Sequence, residues 1–425
     1  MKKIYLVLLI VAVGTSVQAQ SDLSIFGYFQ TSASIFTDNY LNKTTQSFGL
    51  NQLNLFFQKD FGSNFSSFVN FEATNSYASD LNVGTFKIEE AWMKYSYRDY
   101  FNVKVGLLIP TFNNLNEIKN RSPLLPYVFR PLAYESTIAN IITLEDYVPQ
   151  NAFFQIDGVV PVDQLRFDYA VYIGNSASGF IHGNQSSNAY DTTIPGSDTT
   201  AHKLLGGRIG VRYDGIKFGV SFTDDRDFRY GSAIGKGSFI SQNDTTPMIP
   251  NPQNPGTLLS LYQVFGDQPS SDLGSLGSLK RNRIGVDFSV TKFGFTLETE
   301  YIKVTTSPTA AQQASLDQLV AGTTPILAQL GLKPLFNNKI EKTFYYGNLG
   351  YDVMNNASVY VGYSYAEESF NTYFADGLQT FTFGGVFKPI EQIALKAQYQ
   401  TFKLKNTDLV HVDFQYIFLS ASVYF

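Results

Sequence analysis

Residues Leu409 to Phe425 read LVHVDFQYIFLSASVYF. Counting back by twos from Val423 gives Ala421, Leu419 and Ile417, an apolar face. Gln415 and Asp413 share that parity, so the outer part of the segment leaves its register open. A period of two belongs to a strand with a different environment on each face. The segment closes on an aromatic residue, Phe425. The opposite end of the chain carries an export-signal pattern. A period-2 strand ending on Phe, in an exported chain, predicts the last strand of an outer-membrane barrel.

The export pattern has three parts. Lys2 and Lys3 make a positive start, and Ile4 to Val13 is an apolar run too short to span a bilayer as a helix. Val17-Gln18-Ala19 is a small-residue cleavage pattern. The expected organisation is a signal peptide over 1–19 and one barrel domain over 20–425. The chain has no Cys, which removes disulfides and lipoprotein attachment. No later run reaches the roughly 18 apolar residues of a membrane helix. A membrane-spanning reading therefore requires a closed barrel.

Composition agrees. Charged residues make up 16% of the chain, against about 25% in a soluble domain. Aromatic residues make up 15%, as expected of a barrel with apolar outer surface and interface rings. A net charge of −5 argues against a nucleic-acid partner.

Alternating segments recur along the chain. Val103, Val105 and Leu107 alternate with Asn102, Lys104 and Gly106. Phe167, Tyr169, Val171 and Ile173 alternate with Arg166, Asp168, Ala170 and Tyr172. Ile284, Val286, Phe288 and Val290 alternate with Arg283, Gly285, Asp287 and Ser289. Short turns fall near Asn64, Tyr100, Gln164, Asp214, Phe293, Asn356 and Glu391. Between them lie mostly long connections: 37–49, 75–85, 111–151, 176–202, 225–280, 305–341 and 367–377, with a short one at 404–408. Seven short and eight mostly long connections join about sixteen strands. The predicted fold class is all-β: a transmembrane antiparallel β-barrel with short periplasmic turns and long extracellular loops. Phe61, Phe65, Tyr97, Tyr100, Phe101, Phe293, Phe295, Tyr351 and Phe387 cluster by the short turns, where an aromatic girdle belongs. Ordinary strand composition is the plainer account of the same residues.

Three connections differ in kind. The 225–280 stretch is rich in Gly, Ser, Pro and Asn and reads as irregular. Within 305–341, Ser307-Pro308 resembles a helix start, with a short helix over Ala310 to Val320. The 111–151 connection carries Leu124, Leu125, Tyr127, Val128, Phe129, Ile138, Ile141 and Ile142 beside its charges. So apolar a loop must bury itself, and the expectation is that it folds into the lumen as a constriction. The alternative is a cap on the rim or a contact with a neighbouring subunit. The residues expected to line the constriction are Glu117, Lys119, Arg121, Arg130 and Glu135. From the strands come Glu72, Glu90, Arg166, Arg208, Arg212, Arg283, Glu298 and Glu300. Opposed walls of unlike sign would set a transverse field. Pairing between neighbours, such as Arg283 with Asp287, would cancel it.

Signals for enzyme chemistry are weak. The three histidines are His182, His202 and His411, and no Ser stands out beside His411. No spacing points to a metal site, and no cofactor is expected.

Several stretches resemble the family of phosphate-selective porins O and P in its Bacteroidetes-type branch. They are Lys104 to Pro110 (KVGLLIP), Asn116 to Pro126 (NEIKNRSPLLP), Phe129-Arg130-Pro131, Tyr172 to Ser176 and Gly207 to Val211. The resemblance implies a sixteen-stranded, trimeric, passive channel in the bacterial outer membrane. Its partners would be outer-membrane lipid, small polar or ionic solutes, and an assembly machinery that reads the Phe425 end. The fifth long loop has only Arg226, Arg229, Lys236 and Lys280 in place of lysine clusters, so phosphate selectivity does not carry over. Sixteen strands leave a wet lumen, which favours a diffusion channel for ions and small polar solutes. An anion- or phosphate-preferring channel, a barrel enzyme and a surface adhesin are the competing readings.

Overall fold

The computed structural model describes residues 23–39, 42–62, 64–74, 85–135, 151–176, 202–228, 279–307, 340–368, 377–404 and 413–425. It also describes short stretches within 238–269 and 310–325. The expected signal peptide, His182 and His411 lie outside the described residues.

Sixteen strands form one sheet. The first six are β1 (Leu23–Asp38), β2 (Lys43–Gly62), β3 (Phe65–Thr74), β4 (Thr85–Arg98), β5 (Phe101–Leu108) and β6 (Asn151–Val162). Next come β7 (Leu165–Gly174), β8 (Leu204–Tyr213), β9 (Ile216–Phe228), β10 (Leu279–Lys292) and β11 (Phe295–Ser307). The last are β12 (Ile340–Met354), β13 (Ala357–Glu368), β14 (Leu378–Ile390), β15 (Ile393–Leu404) and β16 (Asp413–Tyr424). Neighbours in sequence pair antiparallel, and β1 pairs with β16 to close the barrel. Closure leaves no strand edge with unpaired backbone groups, the condition for a sheet in lipid.

Period-2 patterning decides which face is which. On β7, Phe167, Val171 and Ile173 are exposed, while Asp168, Ala170 and Tyr172 are buried. The same holds on β16, where Ile417 and Leu419 point out and Phe418 and Ser420 point in. Leaving a large aliphatic side chain in water rather than burying it costs about 1.5–3 kcal/mol. A continuous exterior of such residues is stable only against lipid. Asp413 lies at the outer end of β16, 3.7 Å from Lys403, which explains why polar residues occupy the outward parity there.

The short turns sit where the sequence places them. Asp214-Gly215 and Phe293-Gly294 both have positive φ at the two turn positions, the hairpin geometry that matches strand twist. Phe293, Phe61, Tyr97 and Phe295 stand exposed at this end, as a girdle requires. The first connection departs from expectation. The 37–49 loop is mostly strand, because β2 begins at Lys43. Thr44, Thr45, Gln46 and Ser47 pair with β1 through Ile35 to Thr37 and Ser34. The 225–280 stretch is not wholly irregular either. Ser238–Ile240 pairs with Gln268–Pro269, and Met248–Pro250 with Leu258–Ser260. Ala310, Gln313, Ala314 and Asp317 are helical, and Gln313 donates to Asp317 one turn on.

Candidate functional site: a loop seated across a charged lumen

The connection after β5 turns inward. Its described part, residues 109–135, contains Pro110, Pro123, Pro126 and Pro131 and two short 3-10 turns, Ser122–Leu124 and Leu132–Tyr134. Prolines fix φ and lower the entropy lost on ordering. The segment crosses the barrel and meets inward-facing side chains on opposite walls.

One anchor lies on β9 to β11. The Asn113 amide donates to Ser221 Oγ at 2.9 Å. Glu300 accepts from the Asn114 and Leu115 amides at 3.0 and 2.8 Å, and from the Tyr134 hydroxyl at 2.6 Å. Gly285 leaves the room: a Cβ there would collide with Asn113 Oδ1 and come within 2.8 Å of Phe112. A second anchor lies on β15 and β16. Lys396 Nζ donates to the carbonyls of Ser122, Pro123 and Leu125 at 3.0, 2.9 and 2.6 Å. Gln398 Oε1 accepts from the Val128 and Phe129 amides, and the Tyr424 hydroxyl donates to the Pro123 carbonyl. A third lies on β2 and β4, where Gln52 donates to the Asn120 carbonyl, Asn120 to Glu89, and Arg121 to Glu90 at 3.2 Å.

Apolar contacts seat the same segment. Phe112, Leu115, Tyr127, Phe129, Leu132 and Tyr134 share one buried cluster with Phe344, Tyr360, Phe402 and Phe418 of the strands. Each such side chain removed from water contributes about 1.5–3 kcal/mol. The inner faces of β11 to β16 are thus unusually apolar because the loop covers them. Lys119 is fully buried, donating to the Asn116 carbonyl at 3.2 Å, and burial pushes its ammonium pKa down to about 7. Glu89 favours its charged form, and Arg130 opposes it.

The wall opposite carries a ladder of alternating charge. Arg212 Nε donates to Asp168 at 2.8 Å, Asp168 also meets Arg208, and Arg208 donates to Asp287 at 2.7 Å. Two arginines and two aspartates leave this ladder neutral. Gly210 and Gly219 make it possible, since a Cβ at either would come within 2.6 Å of a ladder carboxylate. The pairing differs from the expected Arg283 with Asp287, because the ladder runs across strands rather than along one.

The expected pore-lining residues sort by exposure. Arg166 and Arg212 are exposed, and Glu117, Arg121 and Glu298 are partly so. Glu72, Glu90, Arg208, Arg283, Glu300, Lys119, Arg130 and Glu135 are buried. These eight hold the loop or the wall and present little charge to a solute. Arg130 is the clearest correction. It closes the loop on itself, bonding Glu135 and the Lys119 carbonyl instead of facing open lumen.

Glu89 was missed by the sequence reading. Alternation assigns it outward, but register slips between Asn70 and Phe71, so Glu89 and Glu90 both turn inward. Lys87 meets Glu72 at 3.2 Å and Glu89 at 2.8 Å. Lys396 was legible as an inward cation, but nothing in the sequence links it to loop carbonyls. His202 is exposed, and no cluster of three or more metal-ligating residues occurs among the described residues. An apolar groove of about 1120 Å³, lined in part by Ala33, Phe48, Val359, Leu395 and Leu419, lies on the outer, lipid-facing wall. It is separate from the lumen.

No protein-family model matches the chain, and no curated protein matches it. Solved structures match in fold. An anion-selective porin from Comamonas acidovorans aligns with a TM-score of 0.55 at 10% identity, over 95% of this chain and 99% of that one. OmpF of Salmonella typhi, in complex with daunomycin, aligns at 0.54 and 10% identity, over 95% and 97%. The outer membrane channel DcaP of Acinetobacter baumannii aligns at 0.53 and 10% identity, over 96% and 98%. Identity this low carries the fold and nothing finer.

Proposed function

We propose that the protein is a porin of the bacterial outer membrane, a passive channel for ions and small polar solutes constricted by residues 109–135. One observation carries the reading. A closed sixteen-stranded barrel with an apolar exterior has a loop segment hydrogen-bonded and packed across its interior. Sixteen strands enclose more volume than wall side chains fill. The solved porin and channel that match in fold support this reading. Of the expected pore-lining residues, Arg121, Arg166, Arg212, Glu117 and Glu298 are the ones left to meet solutes. No catalytic role is assigned.

Finer statements belong to the same reading. The resemblance of the loop motifs to those of the phosphate-selective O and P porins supports a place beside that branch, without its phosphate preference. A signal peptide over 1–19, a homotrimer, and recognition of the Phe425 end by an assembly machinery complete the picture. The test is reconstitution of the purified protein in planar bilayers. Discrete conductance steps in simple salt support a channel. Recovery of the native protein in a soluble fraction, or a silent bilayer with correctly folded barrel, overturns it.

A further inference from the structure

The inner wall near the short turns holds a charge arrangement that loop seating does not use. Arg166 of β7 stands directly opposite Arg212 of β8, and Arg212 directly opposite Lys217 of β9. Directly opposed side chains on one sheet face lie about 5 Å apart, and like charges there destabilise the pairing. All three are exposed. Arg212 is paired with Asp168 in the neutral ladder, which leaves Arg166 and Lys217 as the cations of this row outside it. No carboxylate is in ion-pair contact with either among the described residues. Glu298 lies in the same cross-strand row, two strands from Lys217 through Ser289, and its charge interacts with that lysine across the gap. A second opposed pair, Lys94 and Lys104 on β4 and β5, is offset by Glu117, 3.9 Å from Lys104 Nζ. The Arg166, Arg212 and Lys217 row, with two of its three cations outside any ion pair among the described residues, can take an anionic ligand.

We propose that Arg166, Arg212 and Lys217 form a binding site for a small di- or tricarboxylate in the turn-side vestibule, beneath the seated loop. The spacing selects the class. Three cations on three adjacent strands span about 10 Å, two strand separations of about 4.8 Å. A compact single oxyanion reaches one or two of them. Two or three carboxylates on a short carbon chain reach all, and each guanidinium fork takes a carboxylate side by side. The wall confines the ligand against low-dielectric protein, where the field is focused. The binding stands apart from the channel reading; only its effect on current rests on it.

The experiment is calorimetric titration of citrate, acetate and inorganic phosphate into the full-length folded protein in detergent at low salt. Citrate is expected to bind with one site per chain and more tightly than acetate or phosphate. Arg166→Gln with Lys217→Gln should weaken citrate by at least about tenfold. Neither residue holds a carboxylate, and unchanged heat-modifiability on gels checks that the variant folds. Lys59→Gln removes a lysine near the same end but from the opposite face of β2, and should leave citrate binding unchanged. In single-channel records, citrate should block from one face only, and the double variant should lose the block. Citrate no tighter than acetate, phosphate tighter than citrate, or a double variant that binds like the wild type overturns the site. Binding without conductance would sink the channel reading and leave the site standing; conductance without binding would do the reverse.

Discussion

Tyr134 donates its hydroxyl hydrogen to Glu300 at 2.6 Å, with both residues buried in the middle of the barrel. The same carboxylate accepts two loop amides, so Glu300 is the hub of one end of the constriction. Glu300→Ala strands two buried donors, the Leu115 amide and the Tyr134 hydroxyl, at about 1–3 kcal/mol each, and a half-buried third, the Asn114 amide. Glu300→Gln keeps one acceptor oxygen and should cost less. The expected outcome is that limited proteolysis cuts residues 109–135 readily in the alanine variant and slowly in the glutamine variant. Equal protection in wild type and Glu300→Ala would contradict the anchor.

Arg121 and Arg130 should behave differently although both are loop arginines. Arg130 is buried on Glu135 and on loop carbonyls, whereas the Arg121 side chain is 31% exposed beside Glu90. Arg121→Ala should shift the reversal potential in a salt gradient toward cations and leave the loop folded. Arg130→Ala strands a buried carboxylate and should loosen the loop, at a cost of about 3–5 kcal/mol. Identical reversal shifts with identical proteolysis patterns would count against this division.

Gly219 offers a test of the neutral ladder. A Cβ there collides with Arg208 and reaches within 2.6 Å of Asp287. Overpacking of this kind costs about 1–3 kcal/mol. Gly219→Ala should lower the temperature at which the folded gel band converts to the unfolded one. Gly347→Ala, whose Cβ meets only Thr299 Cγ2 at 3.5 Å, is the control and should leave it unchanged.

The barrel was legible because its physics is local. Each outward Val, Ile or Phe must alternate with an inward residue, and each short turn carries its own chemistry at Asp214-Gly215 or beside Gly294. The first loop was misread for the same reason. Beyond the membrane both faces of a strand meet water, alternation fades, and Thr44 to Ser47 look like loop although they pair with β1. The apolar Tyr127, Val128 and Phe129 marked this loop as one that buries itself, and all three are buried. The partners were not. That Glu135 sits with Arg130, that Lys396 gathers three carbonyls, or that a bulge turns Glu89 inward depends on contacts between residues distant in sequence, or on a register slip that composition does not record.

Lys119 makes the seating of the loop depend on pH. Burial holds its pKa at about 7, well below the 10.5 of an ordinary lysine. Between these values the unseated loop binds more protons than the seated one, so seating strengthens as pH rises through that window. Below about 7 both states carry the proton and this dependence vanishes. Hydrogen exchange of residues 112–130 should therefore slow, relative to the intrinsic rate, between pH 7 and pH 10. Lys119→Met should flatten that slope; an equal slope in both proteins would exclude Lys119 as its source.

The central claim is that residues 109–135 lie in the path of solutes and narrow it. Single-channel conductance of the wild type against the Glu300→Ala, Lys396→Met double variant tests this most directly, since the two anchors sit on different walls. Discrete steps in the wild type and clearly larger, noisier steps in the double variant are the predicted result. Steps of the same size and noise in both, with the loop shown by proteolysis to be released, would place it outside the permeation path.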